Sequence, residues 1–305
     1  MTTLKSLKNE YLEYIEIERN RAEKTIENYN RYLERFVKFA HIEDIDNLSE
    51  EKIRQYRLYL NRIKDRDGQS LKKVTQNYHI IALRNFLKYC AKRGIKTVPA
   101  ERIELGRQEE RQVAFLEHQE LARLLVAPKG DSILVLRDRA LLATLFSTGM
   151  RVSEIHKMDR DKIDIKGGEV SVRGKGGKTR LVFLSDDTKK HLKDYLAKRV
   201  DVDEALFIRI PRSGTFKKDD DLRLTPRSIQ RIVGKYATLA GIVGKHVSPH
   251  TLRHSHATDL LRNGADIRSV QTMLGHSSVT TTQIYTHVTD QQLREVHKKY
   301  HNKEQ

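Results

Sequence analysis

From about residue 97 to residue 113 the sequence TVPAERIELGRQEERQV loses the helical spacing of apolar residues that precedes it, gains Pro99 and Gly106, and becomes dense in charge. A break of that kind, placed one third of the way along 305 residues, divides the chain into two folding units joined by a tether. The expected boundaries are a helical domain over 1–98, a linker over 99–113, and a second domain over 114–305. With 38% hydrophobic residues, the chain has enough apolar mass for two ordinary cores.

Before the break, apolar residues recur three and four apart: Leu4, Leu7, Tyr11, Tyr14 and Ile15, then Ile26, Tyr29, Leu33, Phe36 and Val37, then Ile53, Tyr56 and Leu60, then Leu83, Phe86 and Leu87. Each set fits one face of a helix, so four helices are predicted. Ser49 is placed to cap the third, and the DRDG at 65–68 reads as a helix-to-helix turn. After the break, a helix through Leu121, Leu124 and Leu125 opens the second domain. RDRALLATLFS at 137–147 is nearly all apolar and reads as a buried helix, which Gly149 ends in a left-handed conformation; Ser153 is expected to cap the helix that follows. EVSVRGKGGKTRLVFL at 169–184 alternates on either side of a glycine-rich centre, predicting a β-hairpin with Val170 and Val172 on one arm, Leu181 and Phe183 on the other, and Arg173, Lys175, Lys178 and Arg180 at the tip. The fold class is therefore mainly α with a small β-sheet.

The net charge of +17 and pI of about 9.8 favour a polyanionic partner, although a basic surface also serves solubility. Both parts share the excess, with 23 basic and 18 acidic residues over 1–110 and 35 and 23 over 111–305. The single cysteine, Cys90, excludes an internal disulfide. MTTLKSLKNEYLEYIEIERN lacks the apolar core of a signal peptide, and no apolar run approaches membrane-spanning length, which points to a cytoplasmic location.

Chemistry concentrates in SPHTLRHSHATDLLRNGADIRSVQTMLGHSSVTTTQIYTHV, residues 248–288. Ser248 and Pro249 suit the cap and first position of a helix that stops at Asn263-Gly264; His250 and Arg253, three apart, share a face close to its N-terminus, where backbone N–H groups favour anions. Leu252, His256 and Leu260 share another face, so His256 reads as a core histidine. Asp266 can cap a helix buried through Ile267, Val270, Met273 and Leu274 that Gly275 ends. His276 then emerges just past that end, and Tyr285 follows nine residues later. His250 and His254 have zinc-ligand spacing but no third ligand nearby, and GGKT at 176–179 has Val172 where a phosphate-binding loop needs its first glycine; neither metal nor nucleotide is expected. Arg151, in a tight turn, needs an anion, and either Glu154 or a phosphate would serve.

In this order, TGMRVSEI at 148–155, VRGKGGKTR at 172–180, HTLRH at 250–254, LGHSS at 274–278 and the tyrosine of TTQIYTHV at 281–288 resemble the tyrosine recombinase family, the lambda-integrase and Xer group, over nearly the whole chain. The resemblance implies an N-terminal SAM-like core-binding domain and an α+β catalytic domain, with Arg151, Lys175, His250, Arg253, His276 and Tyr285 as the active site and Tyr285 as nucleophile. It further implies double-stranded DNA as substrate, a homotetramer on two duplexes or assembly with a paralogous recombinase, a nucleoid-associated location, and a C-terminal helix over 289–305 docked on a neighbouring subunit. No cofactor is expected, because exchanging a phosphodiester for a phosphotyrosyl ester needs neither ATP nor metal. Resolution of chromosome dimers fits the compact chain; a phage, plasmid or integron integrase would use the same chemistry. A type IB topoisomerase would share that chemistry but lacks the Xer-like motifs, and a non-catalytic DNA-binding module would have no use for all six residues.

Overall fold

The computed structural model describes residues 3–64, 68–107, 114–174, 179–210 and 221–275. The chain divides into two compact units, Met1–Glu110 and Arg111–Gln305.

In the first unit, α1 (Leu4–Ile17), α2 (Glu23–Ala40), α3 (Glu50–Arg62) and α4 (Lys73–Lys92) are joined by short connections. Thr3 and Ser49 accept the amides of Ser6 and Lys52 at 3.2 Å and so cap α1 and α3. The apolar stripes meet in one core that contains Leu4, Leu7, Tyr11, Leu33, Phe36, Tyr56, Leu60, Leu83, Phe86 and Leu87. His79 is buried among them, with Nδ1 3.1 Å from the Tyr56 hydroxyl and Nε2 3.3 Å from Arg35 Nη1. Burial, then the Arg35 charge, pushes its pKa down to about 4, so the ring is neutral. Past α4 the chain stays on this unit: Val98, Ala100 and Ile103 enter the core, and Asn77 exchanges two hydrogen bonds with the backbone of Gly106. The first part of the stretch read as a tether is therefore packed, its spaced apolar residues being masked in the sequence by the charges between them. Residues 108–113 lie outside the described residues.

The second unit is built around α6 (Ile133–Thr148), which Ser132 caps and whose residues are buried on most sides, as a helix without a polar face must be. It packs against α8 (Asp186–Ala197) and α10 (Pro249–Arg262), with α5 (His118–Val126) alongside. The short α7 (Val152–His156) rests on α9 (Pro226–Leu239). Within α6, Arg137 and Asp138 are buried as an ion pair, satisfied further by the Ile208 carbonyl and the Tyr236 hydroxyl. Among the described residues the strands are β1 (Ile163–Asp164), β2 (Glu169–Arg173) and β3 (Thr179–Phe183), an antiparallel sheet in the order β1-β2-β3.

The β2–β3 register sets Val170 opposite Val182 and Val172 opposite Arg180. Directly opposed residues share a face, so the inner face is Val170, Val172, Arg180 and Val182, while Leu181 and Phe183 point outward at 47% and 48% exposure. The alternating apolar residues of the two arms therefore lie on opposite faces, Val170 and Val172 inward and Leu181 and Phe183 outward. The run Leu181–Leu184 is apolar at every position, so alternation could not distinguish the two faces there; the partner strand does. No helix among the described residues is long and apolar enough to cross a membrane.

Candidate active site

The site begins where α6 stops. Gly149 adopts φ +58°, and a β-carbon there would lie 2.6 Å from Cδ2 of His256, so both the backbone conformation and the close approach require glycine. Met150 is fully buried and anchors the turn. Arg151 follows as the residue that precedes the first turn of α7. Ser153 does not cap this helix; the Arg151 amide donates instead to Glu154 Oε2 at 2.8 Å, because α7 starts immediately after the turn and its third residue reaches back.

Glu154 is the hub. Its Oε1 accepts Arg151 Nη1 at 3.0 Å and Arg180 Nη1 at 2.9 Å; its Oε2 accepts Arg180 Nη2 at 2.7 Å and the Arg151 amide. Burial alone would raise the carboxyl pKa, but the Arg180 hydrogen bond, the Arg151 amide and the Arg180 charge together hold it below the ordinary glutamate value. It is therefore an anion at neutral pH.

Arg253 lies in the second turn of α10, which Ser248 caps and Pro249 opens. It is 3% exposed, and donates from Nη1 to the Gly149 carbonyl at 2.6 Å and from Nη2 to the Leu274 carbonyl at 2.5 Å. Arg151 Nη2 reaches the next carbonyl, Gly275, at 3.1 Å, and Arg180 Nε the preceding one, Met273, at 2.8 Å. Three guanidinium groups thus sit on three successive carbonyls where α11 (Ile267–Leu274) ends. Asp266 starts that helix and Gly275, at φ +64°, closes it. Its last carbonyls lack helical partners and carry the negative end of the helix dipole, so they suit cations.

His250, the second residue of α10, is exposed and lies one turn before Arg253. His256 is a core residue as expected: its ring meets Phe146 edge-on at 6.2 Å, and burial followed by the Arg253 charge pushes its pKa down to about 4. Of the six residues expected to form the site, the described structure brings Arg151 and Arg253 together and places His250 on the helix of the latter; Lys175, His276 and Tyr285 lie outside the described residues. Glu154 was foreseen as a partner for Arg151, whereas Arg180 was assigned to the exposed hairpin tip; it lies one pair in from the loop with its side chain on the inner face, 8% exposed. The signal that would have located it is the pairing of Val172 with position 180.

Chemically, three guanidinium groups against one carboxylate leave an excess of positive charge among these four side chains, beside the first residue after α11. Such a surface favours a phosphodiester and favours still more the extra charge that develops when an oxyanion attacks it.

Residues 114–292 match the model of the phage integrase family. The chain belongs to that family. Residues 9–94 match the family's N-terminal SAM-like domain. Among its relatives, the tyrosine recombinase XerC of Thermodesulfovibrio yellowstonii is 34% identical over 302 residues, covering 99% of this chain and 98% of that protein. XerD of Staphylococcus haemolyticus is 34% identical over 310 residues, covering 98% and 99%. The crystal structure of XerA recombinase is 29% identical with a TM-score of 0.52, covering 99% of both chains. XerH bound to a palindromic difH substrate in a post-cleavage complex has the same fold at 24% identity, with a TM-score of 0.72, and covers 91% of this chain and 80% of its own. This member of the phage integrase family is thus a tyrosine site-specific recombinase with a helical SAM-like domain and a mixed catalytic domain.

Proposed function

We propose that the enzyme exchanges strands of double-stranded DNA through a 3′-phosphotyrosyl intermediate formed by Tyr285. The observation that carries this reading is the convergence of Arg151 and Arg253 on the consecutive carbonyls of Gly275 and Leu274, immediately before His276. There the two guanidinium groups bind the non-bridging oxygens of the scissile phosphate and stabilise the charge of the transition state. A phenol of ordinary pKa about 10 attacks slowly at neutral pH, so the positive field of the site and a neighbouring base, His250, promote loss of its proton. Lys175 returns a proton to the departing 5′-oxygen, and His276 donates a hydrogen bond to the phosphate. Attack by the 5′-hydroxyl of another strand reverses the step and releases Tyr285, with no net consumption of bond energy.

Similarity to XerC and XerD over almost the full chain supports a role in chromosome dimer resolution, by a tetramer of this chain or of this chain with a paralogue on two duplexes. Both the chemistry and the role are tested by incubating the protein, in EDTA, with nicked fragments of its source genome and sequencing the denaturant-resistant adducts. Adducts at one chromosomal locus, absent with Tyr285→Phe while DNA binding persists, are expected. Adducts that survive Tyr285→Phe would overturn the assignment, and adducts at the ends of mobile elements would assign the enzyme to integration instead.

A further inference from the structure

Glu154 poses a problem for a phosphate-binding Arg151. A buried carboxylate three residues along a short helix is the natural ion partner of that arginine, and a two-pronged pair between them would neutralise Arg151 internally and turn both of its terminal nitrogens away from substrate.

The hydrogen bonds show how this is avoided. Arg180 occupies Glu154 with two parallel bonds of 2.9 and 2.7 Å, and the Arg151 amide takes a further position on Oε2. What remains for the Arg151 side chain is one bond to the shared Oε1, so its Nη2 turns outward to Gly275. The burial follows the same division: the Arg180 side chain is 8% exposed and the Arg151 side chain 30%. Arg180 is the buried counter-charge, and Arg151 is held by one bond to the carboxylate and one to the Gly275 carbonyl, leaving its side chain partly exposed. The third bond of Arg180, to Met273, fixes the end of α11 to the same carboxylate.

We infer that Arg180 is a positioning residue that occupies Glu154 and thereby keeps Arg151 available to the scissile phosphate. This rests on the phosphate-binding role proposed for Arg151. A lysine could not replace Arg180 fully, since one ammonium cannot span both carboxylate oxygens and the Met273 carbonyl in the same plane.

The test is single-turnover cleavage of a nicked duplex by full-length protein. Arg180→Gln should leave DNA affinity within about threefold of wild type and slow cleavage by at least about tenfold, the scale on which misplaced transition-state donors act. Arg180→Lys should fall between them. Because Glu154 causes the loss by capturing Arg151, the double variant Arg180→Gln/Glu154→Gln should cleave faster than Arg180→Gln alone. A neutral methylphosphonate at the scissile position removes the charge that Arg151 serves, so the ratio of wild-type to Arg180→Gln rates should shrink on that substrate. An equal ratio on both substrates, or a double variant no faster than the single one, would show Arg180 to be structural only. If Arg180→Gln does not fold, the same ratio is read with Arg180→Lys. A wild-type protein that forms no adduct would instead refute the parent reading of Tyr285 chemistry, a result that these ratios cannot mimic.

Discussion

Gly149→Ala should be among the most damaging single-methyl additions in the catalytic unit, and its cost can be worked from two independent terms. The backbone there is left-handed, φ +58°, which costs a residue with a β-carbon about 1–2 kcal/mol. The added methyl would lie 2.6 Å from His256 Cδ2 and 3.2 Å from Leu274 Cδ2, and overpacking of that kind costs about 1–3 kcal/mol. The sum, about 2–5 kcal/mol, corresponds to a fall in Tm of roughly 4–20 °C at about 2–4 °C per kcal/mol for a unit of this size. Relief of the clash must move either the His256 ring or the turn. Movement of the turn displaces the Gly149 carbonyl that Arg253 holds at 2.6 Å, so cleavage measured below the transition should fall as well. Denaturant unfolding of wild type, Gly149→Ala, His256→Ala and the double variant closes a cycle in which the clash appears as a coupling of about 1–2 kcal/mol, with the left-handed term remaining in the double variant. A loss below about 1 kcal/mol for Gly149→Ala, or no coupling to His256, would refute the reasoning.

Two further outcomes follow from the buried histidines and the tail. His79 and His256 have pKa values pushed from 6.5 down to about 4, so the unfolded chain takes up their protons first: the stability they confer is complete above about pH 6.5 and is lost as pH falls toward 4. At pH 5 each should have cost its own unit about 2 kcal/mol, measurable by denaturant unfolding at pH 7.5 and 5; the lowered pKa of Glu154 places its own loss at still lower pH. His256→Phe should flatten the dependence for the catalytic unit, and an unchanged slope would contradict this. Removing residues 289–305 should impair assembly and strand exchange, read by native mass and by product formation, more than simple binding read by gel shift; unchanged exchange would exclude a role for the tail between subunits.

The helices were legible because their apolar residues keep helical spacing and their ends carry residues with few alternatives: Ser49, Ser248 with Pro249, Asp266, Gly149 and Gly275 all serve as caps or stops where the sequence places them. His256 was legible as a core residue because it falls in line with Leu252 and Leu260. What escaped was information held between segments. Which face of β3 turns inward depends on its pairing with β2, and with four apolar residues in succession the strand alone does not say. Arg180 was misplaced for that reason, and with it the network through Glu154. The packing of Val98, Ala100 and Ile103 escaped because three apolar positions among charges fall short of a helical stripe, yet they suffice to hold an irregular segment on a core already formed.

The grip of three arginines on Met273, Leu274 and Gly275 makes α11 a ruler. Each residue of a helix turns the backbone by about 100° and advances it about 1.5 Å. Inserting or deleting one residue between Asp266 and Gly275 would rotate those carbonyls away from Arg180, Arg253 and Arg151 together, whereas a change of length at Asn263–Ala265, before the helix starts, would leave their phasing intact. The length of this one helix is therefore held by electrostatic contacts from three separate parts of the chain. Drift in that length should be far rarer than drift in the sequence of its exposed face.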